Sequence, residues 1–196
     1  MLAKTNESYL VQSSTTWLKS YYFIRFAVST AWILLAFTLA KAMPPLAAIM
    51  LVAYPAWDAL ANFIDARRTG GLNRNKTQLL NFVVSVITTV AVAVALAKSM
   101  NAVLAVFGVW AVLSGLFQLA TAIRRWTSGA QWAMVLSGAQ SALAGIFFVK
   151  MAGSAATVDV TNIAPYAAFG AFYFFVSAVW LTVSDARRKS APVARG

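Results

Sequence analysis

The stretch Phe107–Arg125 reads FGVWAVLSGLFQLATAIRR, an apolar run of helical length that stops on two arginines. The run has two relatives in the same chain. Met50–Arg68, MLVAYPAWDALANFIDARR, ends 57 residues earlier, and Gly170–Arg188, GAFYFFVSAVWLTVSDARR, ends 63 residues later. The earlier and later copies close on the same four residues, Asp65–Arg68 and Asp185–Arg188. Self-similarity at a near-constant spacing is the signature of structural repeats, so the chain is predicted to contain three copies of one unit.

The composition of the chain places this unit in a membrane. Of the 196 residues 61% are hydrophobic and 11% are charged, with a mean hydropathy of +0.72, whereas soluble domains carry about 25% charged residues. There is no Cys and no His, which excludes disulfides, Cys/His zinc sites, Cys nucleophiles and His bases. The five carboxylates are widely spread and offer no acid/base pair except Asp58 with Asp65. We therefore expect no enzymatic activity, no catalytic residue, no metal site and no cofactor.

Apolar stretches of about 17–25 residues are long enough to cross a bilayer. The sequence contains six of them, at 21–40, 46–64, 79–97, 102–123, 132–149 and 163–184. A lysine directly follows each odd stretch, and an arginine pair follows each even stretch within four residues. The predicted fold class is an all-α integral membrane protein whose six transmembrane helices form three tandem parallel α-hairpin repeats about a pseudo-threefold axis. The hairpins cover 20–68, 77–125 and 130–188 within a membrane domain, 20–189, between a polar N-terminal segment, 1–19, and a basic tail, 190–196.

The distribution of charge predicts the topology. Of the 16 Lys and Arg residues, all but Lys41, Lys98 and Lys150 fall in segments assigned to one side of the membrane. The positive-inside rule makes that side the cytoplasm, so both termini are expected there. The same segregation argues against nucleic acid, which a net charge of +11 would suggest in a soluble protein. The expected partners are the lipid bilayer and a second copy of the chain or another membrane protein.

A family resemblance rests on two segments in the middle of the chain. These are Trp110–Gln118, WAVLSGLFQ, with the arginine pair that follows it, and Trp132–Gly145, WAMVLSGAQSALAG. They resemble the HdeD-like acid-resistance membrane proteins, which are built from short membrane repeats of unknown function. The resemblance covers 20–189 by topology and is sharp over 105–150. It implies a six-span protein of the bacterial inner membrane that is linked to acid or general stress, without established chemistry or catalytic residues.

The first hairpin departs from this pattern at Tyr54–Asp58, and Asp58 is the one carboxylate predicted inside a span. It lies about 13 Å from the inner boundary at a rise of ~1.5 Å per residue. An acidic group at that depth is costly and is a functional-site hypothesis by default. Asn62 and Asp65 follow at i+4 and i+7 on the same helix face, and Arg25 in the first span is at a similar level. These four residues form the candidate intramembrane polar site.

The sequence leaves three interpretations of Asp58 open. Arg25 pairs with Asp58 or Asp65 and holds the first hairpin together. Asp58 is a protonatable switch or part of a proton relay. Pro55 distorts the helix and opens a water-filled notch beside Asp58. The corresponding functions are a non-enzymatic stress-related membrane protein that acts by its presence or through partners, and a small proton- or cation-coupled transporter or channel that uses Asp58.

Small residues on the fourth and fifth spans predict close helix packing. Ser137, Ser141 and Gly145 form two small-xxx-small steps on the fifth span, and Gly108 and Gly115 are spaced by seven residues on the fourth. Residues of this size allow helix backbones to approach closely in a membrane. Because similar positions recur in the repeats, packing within one chain is expected rather than a seam between two chains.

Overall fold

The computed structural model describes residues 2–124 and 132–190, which are helical apart from turns and short loops. The long helices are α1 (Leu2–Thr38), α2 (Pro44–Arg68), α3 (Lys76–Leu96), α4 (Met100–Arg124), α5 (Trp132–Ala152) and α6 (Ala164–Ser190). Short 3₁₀ turns, Ala40–Ala42 and Val160–Ile163, precede α2 and α6. The described residues contain no strand, so the all-α prediction is confirmed for them.

All six helices contain a stretch that is long and apolar enough to cross a membrane. These stretches are Thr16–Thr38, Pro44–Arg68, Lys76–Leu96, Met100–Ile123, Met134–Ala152 and Val160–Arg188. They coincide with the six predicted spans to within a few residues, and the chain is a multi-pass membrane protein by this criterion. The first helix, α1, runs without a break from Leu2, so residues of the polar segment 1–19 form its first turns. Arg125 and the tail from residue 191 onward lie outside the described residues.

The helix boundaries follow from local chemistry. Pro44 opens α2, where its missing N–H is not needed by the helix. Pro55, in the interior of the same helix, is buried, and α2 continues through it. At the other end of α2 the Gly71 amide donates to the Ala66 carbonyl at 2.7 Å, which caps the last turn.

Residue contacts divide the described chain into two compact units. The first unit contains α1 up to Ala31 and α6 from Ala167 onward. Within it, the Lys19 ammonium binds the Asp185 carboxylate at 2.7 Å. The Phe26 and Phe175 rings pack with their centroids 5.0 Å apart. The first and last helices are therefore paired, although the sequence assigned them to different hairpins.

The second unit runs from Trp32 to Tyr166. Inside it α2 packs on α3, α3 on α4 and α4 on α5. The Trp32 indole, at the end of α1, donates to the Met50 carbonyl of α2 at 2.9 Å. The order of these contacts follows the order of the helices along the chain.

The backbones of α4 and α5 approach each other closely. A Cβ placed on Gly115 would lie 2.5 Å from the Gly138 carbonyl oxygen, and one on Gly108 would lie 2.8 Å from the Gly145 carbonyl oxygen. The Ser141 hydroxyl donates to the Ala111 carbonyl at 2.9 Å across the same contact. The predicted close packing of small residues is confirmed within one chain. It joins two helices that the sequence had placed in successive hairpins.

Candidate functional site

Asp58 lies in α2 and is bound by donors from two helices. Its Oδ2 accepts from the Ser85 hydroxyl of α3 at 2.7 Å and from the Asn62 side-chain amide at 3.0 Å. Asn62 also donates to the Asp58 carbonyl at 2.8 Å. Ser85 is 1% exposed and Asn62 is 8% exposed. The predicted proximity of Asp58 and Asn62 on one helix face is confirmed, and the contact with α3 makes the carboxylate part of the packing between α2 and α3.

Ser85 extends this contact to a third helix. Its oxygen accepts a hydrogen bond from the Trp110 indole of α4 at 3.3 Å, and its own proton goes to Asp58. Trp110 is 5% exposed. Donors and acceptors therefore form one directed chain from Trp110 through Ser85 to Asp58, linking α4, α3 and α2. We call Asp58, Asn62, Ser85 and Trp110 the polar cluster.

Sequence reasoning missed two members of the polar cluster. Trp110 opens the motif that carries the family resemblance, which was a signal that this position matters. Ser85 gave no comparable signal, because it is one of several hydroxyl residues in an uncharged span, with Thr88 and Thr89 close by. Only the packing of α3 against α2 and α4 distinguishes Ser85 from its neighbours.

Asp65 forms a second contact between α2 and α3, separate from that of Asp58. It is 8% exposed, and its Oδ2 accepts from the Gln78 side-chain amide at 3.3 Å. Seven residues of helix separate it from Asp58, which corresponds to about 10 Å along the axis. The two carboxylates are thus at different levels of the same helix pair.

The aspartates of the two Asp-Ala-Arg-Arg motifs each bind a side chain of another helix. In the second unit, Asp65 at the end of α2 binds Gln78 near the start of α3. In the first unit, Asp185 near the end of α6 binds Lys19 on α1 at 2.7 Å. In each case the aspartate lies in the last turns of an even-numbered helix, and its partner is a polar side chain of an odd-numbered helix. This gives the repeated aspartate a packing role that the sequence repeat alone did not reveal.

Arg25 belongs to the first unit, where it has aromatic surroundings. Its guanidinium donates to the Tyr21 hydroxyl at 2.9 Å and lies 4.3 Å from the centroid of the Phe174 ring. A cation over an aromatic face is stabilised by the ring quadrupole. The predicted pairing of Arg25 with Asp58 or Asp65 stays a prediction.

An aromatic group surrounds Trp110 in the second unit. The Tyr54 ring meets Trp110 edge-on, with 6.0 Å between ring centroids. It also packs against Trp32 at a tilt, with 5.0 Å between centroids. Tyr166 meets Trp110 edge-on at 6.2 Å and has its hydroxyl 3.1 Å from Ser141. Since Ser141 gives its own proton to a carbonyl of α4, the Tyr166 hydroxyl is the donor of that bond. These rings fix the orientation of the Trp110 indole toward Ser85.

The arrangement contains a carboxylate, a hydroxyl, an amide and an indole in a low-dielectric setting. These groups suit interhelical hydrogen bonding, and a carboxylate next to a hydroxyl is also a combination from which proton pathways are built. Within residues 2–124 and 132–190, no three acidic side chains come together as a metal-binding group.

Comparison with known proteins gives a match in the middle of the chain. No curated protein and no solved structure matches the chain. Residues 82–150, which run from α3 through α5, match a family described as a short repeat of unknown function (DUF308). That family consists of membrane proteins and includes the HdeD-like ones. The matched residues contain Ser85, Trp110 and the glycine contact between α4 and α5, so this multi-pass membrane protein is similar, over its central helices, to the short membrane repeats of that family.

Proposed function

We propose that this protein is a non-enzymatic protein of the bacterial inner membrane of the acid- or stress-resistance type. It acts by its presence in the bilayer or through a second copy or another membrane protein. The similarity of residues 82–150 to a membrane repeat family supports the proposal. So does the lack of Cys and His in the sequence, which removes the commonest nucleophiles and bases.

The observation that carries the proposal is the hydrogen bonding of Asp58. The Asp58 carboxylate, inside a span, accepts hydrogen bonds from Ser85 and Asn62. Ser85 in turn accepts a hydrogen bond from Trp110. Polar groups that satisfy one another between helices stabilise a membrane bundle, because the alternative is an unsatisfied group in hydrocarbon. A carboxylate used in this way serves packing, and it needs no substrate.

The proposal includes three tandem hairpins with both termini in the cytoplasm. Its test exploits the absence of native cysteine, since one introduced thiol can then be labelled without background. Ala155→Cys, in the exposed loop after α5, is expected to react with a membrane-impermeant maleimide in intact cells. Asn73→Cys, in the exposed turn after α2, is expected to react only after permeabilisation. The reverse pattern, or labelling of both in intact cells, would refute the topology.

For the stress function we expect Asp58→Asn to behave like the wild type. An asparagine oxygen can still accept from Ser85 and Asn62, so the packing is retained. The measurement is survival of a bacterial host after acid exposure, with wild type, Asp58→Asn and empty vector compared at equal membrane levels. Survival above that of the vector for both proteins supports the proposal. If the wild type gives no protection, the proposed stress function is wrong.

A second candidate is a small proton- or cation-coupled transporter or channel that uses Asp58. The specific observation in its favour is the directed chain from Trp110 through Ser85 to a carboxylate inside a span. Loss of protection in a correctly folded Asp58→Asn protein would favour this candidate. Purified protein in vesicles with an internal pH dye separates the two, because only the second candidate requires a flux that Asp58→Asn abolishes.

A further inference from the structure

The turn between α2 and α3 carries four exposed cations. Arg67 and Arg68 end α2, Arg74 lies in the turn, and Lys76 opens α3. We call these four residues the basic turn. The carboxylate closest to them in sequence, Asp65, is 8% exposed. The exposed surface of this turn is therefore strongly positive.

The backbone holds the basic turn in a defined shape. Gly70 and Gly71 have φ angles of 105° and 92°, a conformation that favours glycine. The Asn75 side-chain amide donates to the carbonyls of Thr69 at 3.0 Å and Gly71 at 2.9 Å. A turn that is already ordered loses little conformational freedom when it binds a ligand.

Exposed apolar side chains continue from the basic turn along α3. Leu80, Val83 and Ile87 follow Lys76 at helical spacing and are 42%, 41% and 61% exposed. The face therefore has a cation at its end and an aliphatic stripe along the span. A phospholipid has the same order of groups, with a charged headgroup above its acyl chains.

Along α2, too, apolar side chains lead to a cation at the end of the helix. Leu60, 48% exposed, lies one turn before Phe63, and the Arg67 guanidinium lies 5.0 Å from the Phe63 ring centroid. Phe63 contacts Phe82 of α3 at 5.6 Å between ring centroids, so α2 and α3 touch close to the basic turn. The arginine side chain therefore lies back along α2 over the Phe63 ring, where the ring quadrupole stabilises the cation.

We infer that the basic turn and the apolar faces below it bind an anionic phospholipid. The lipid phosphate contacts Arg67, Arg74 and Lys76, and an acyl chain lies along Leu80, Val83 and Ile87. Four cations at the ends of two adjacent spans attract a lipid of net negative charge, whereas a zwitterionic lipid brings its own cation to the same place. The inference holds on either side of the membrane and does not depend on the proposed stress function.

The test compares lipid binding by the full-length protein in detergent, using native mass spectrometry and thermal unfolding. We expect phosphatidylglycerol to bind more tightly than phosphatidylcholine and to raise the unfolding temperature. The variant Arg67→Gln/Arg68→Gln/Arg74→Gln/Lys76→Gln is expected to lose at least about tenfold in affinity for phosphatidylglycerol, since each cation near an anionic lipid contributes about 1 kcal/mol. Raising the salt concentration is expected to weaken binding for the same reason.

The matched control removes the cations at the other ends of the spans, Lys41→Gln/Lys98→Gln/Lys150→Gln, and is expected to keep phosphatidylglycerol binding. The charge-preserving variant Arg67→Lys/Arg68→Lys/Arg74→Lys keeps most of the affinity if the fold is intact and charge is the cause. Inorganic phosphate at equal concentration is expected to give no stabilisation, which identifies the whole lipid as the ligand. Equal binding of the two lipids, an equal loss in the matched control, or full stabilisation by inorganic phosphate would overturn the inference.

Discussion

Gly145→Ala is expected to destabilise the protein by about 2 kcal/mol, because α5 cannot accept a methyl group where it touches α4. The added Cβ would press on the Gly108 carbonyl oxygen and lie 2.6 Å from the Val112 nitrogen. Both are backbone atoms, so no side-chain rotation relieves the overlap. Alanine favours a helix over glycine by only about 1 kcal/mol, which is less than the ~3 kcal/mol cost of overpacking at such a contact. The measurement is the free energy of unfolding from a denaturant titration in mixed micelles.

Gly153→Ala is the control for this variant. A Cβ at Gly153 would have its nearest neighbours at 3.6 Å and 3.9 Å, which is ordinary van der Waals contact. Its unfolding free energy is expected to stay within about 0.5 kcal/mol of the wild type. Equal stability of the Gly145 and Gly153 variants would show that α4 and α5 are not in backbone contact.

Ser85→Ala is expected to cost about 2 kcal/mol and to change the fluorescence of Trp110. The variant loses the bond from Ser85 to Asp58 at 2.7 Å and the bond from Trp110 to Ser85 at 3.3 Å. Interhelical hydrogen bonds in membranes contribute about 0.6 kcal/mol on average. The larger figure applies because one acceptor is a carboxylate and because a buried indole N–H loses its acceptor. Denaturant titration of the same kind gives the free energy, and the emission spectrum reports the indole.

Thr89→Val on the same helix is the control for Ser85. The Thr89 hydroxyl donates to the Ser85 backbone carbonyl within α3 at 2.7 Å, so its loss breaks no contact between helices. Its unfolding free energy is expected to remain within about 0.5 kcal/mol of the wild type. A Ser85→Ala protein as stable as this control, with unchanged emission, would mean that the polar cluster does not hold α2, α3 and α4 together.

The sequence predicted the helices well because each span is a local pattern. Apolar length defines a span, and proline, glycine and paired arginines define its ends, as at Pro44 and Arg68. It also predicted that Asn62 would reach Asp58, since both lie on one helix and four residues bring side chains to the same face. The small residues at Gly108 and Gly145 predicted close packing of the helices that carry them for the same kind of local reason, but not that these two helices would be each other's partner.

The sequence could not predict which side chains of other helices would bind these polar groups. Ser85 and Gln78 became partners of Asp58 and Asp65 only when α3 packed against α2. The pairing of α1 with α6 through Lys19 and Asp185 is a contact between the two ends of the chain. Nothing in the spacing of residues within one helix encodes which face of another helix it will meet.

The sequence by itself determined that this protein has six helices long and apolar enough to cross a membrane, and that the second of them carries Asp58. Those properties depend on hydropathy, charge and helical periodicity, which act over a few turns of chain. The tertiary structure decided which helix each polar group serves. Asp58 joined α3 and, through Ser85, Trp110 of α4. Asp65 joined the helix that follows it, and Asp185 joined the first helix. In hydrocarbon a polar side chain has to find its donor on a neighbouring helix, so the identity of that donor is set by packing.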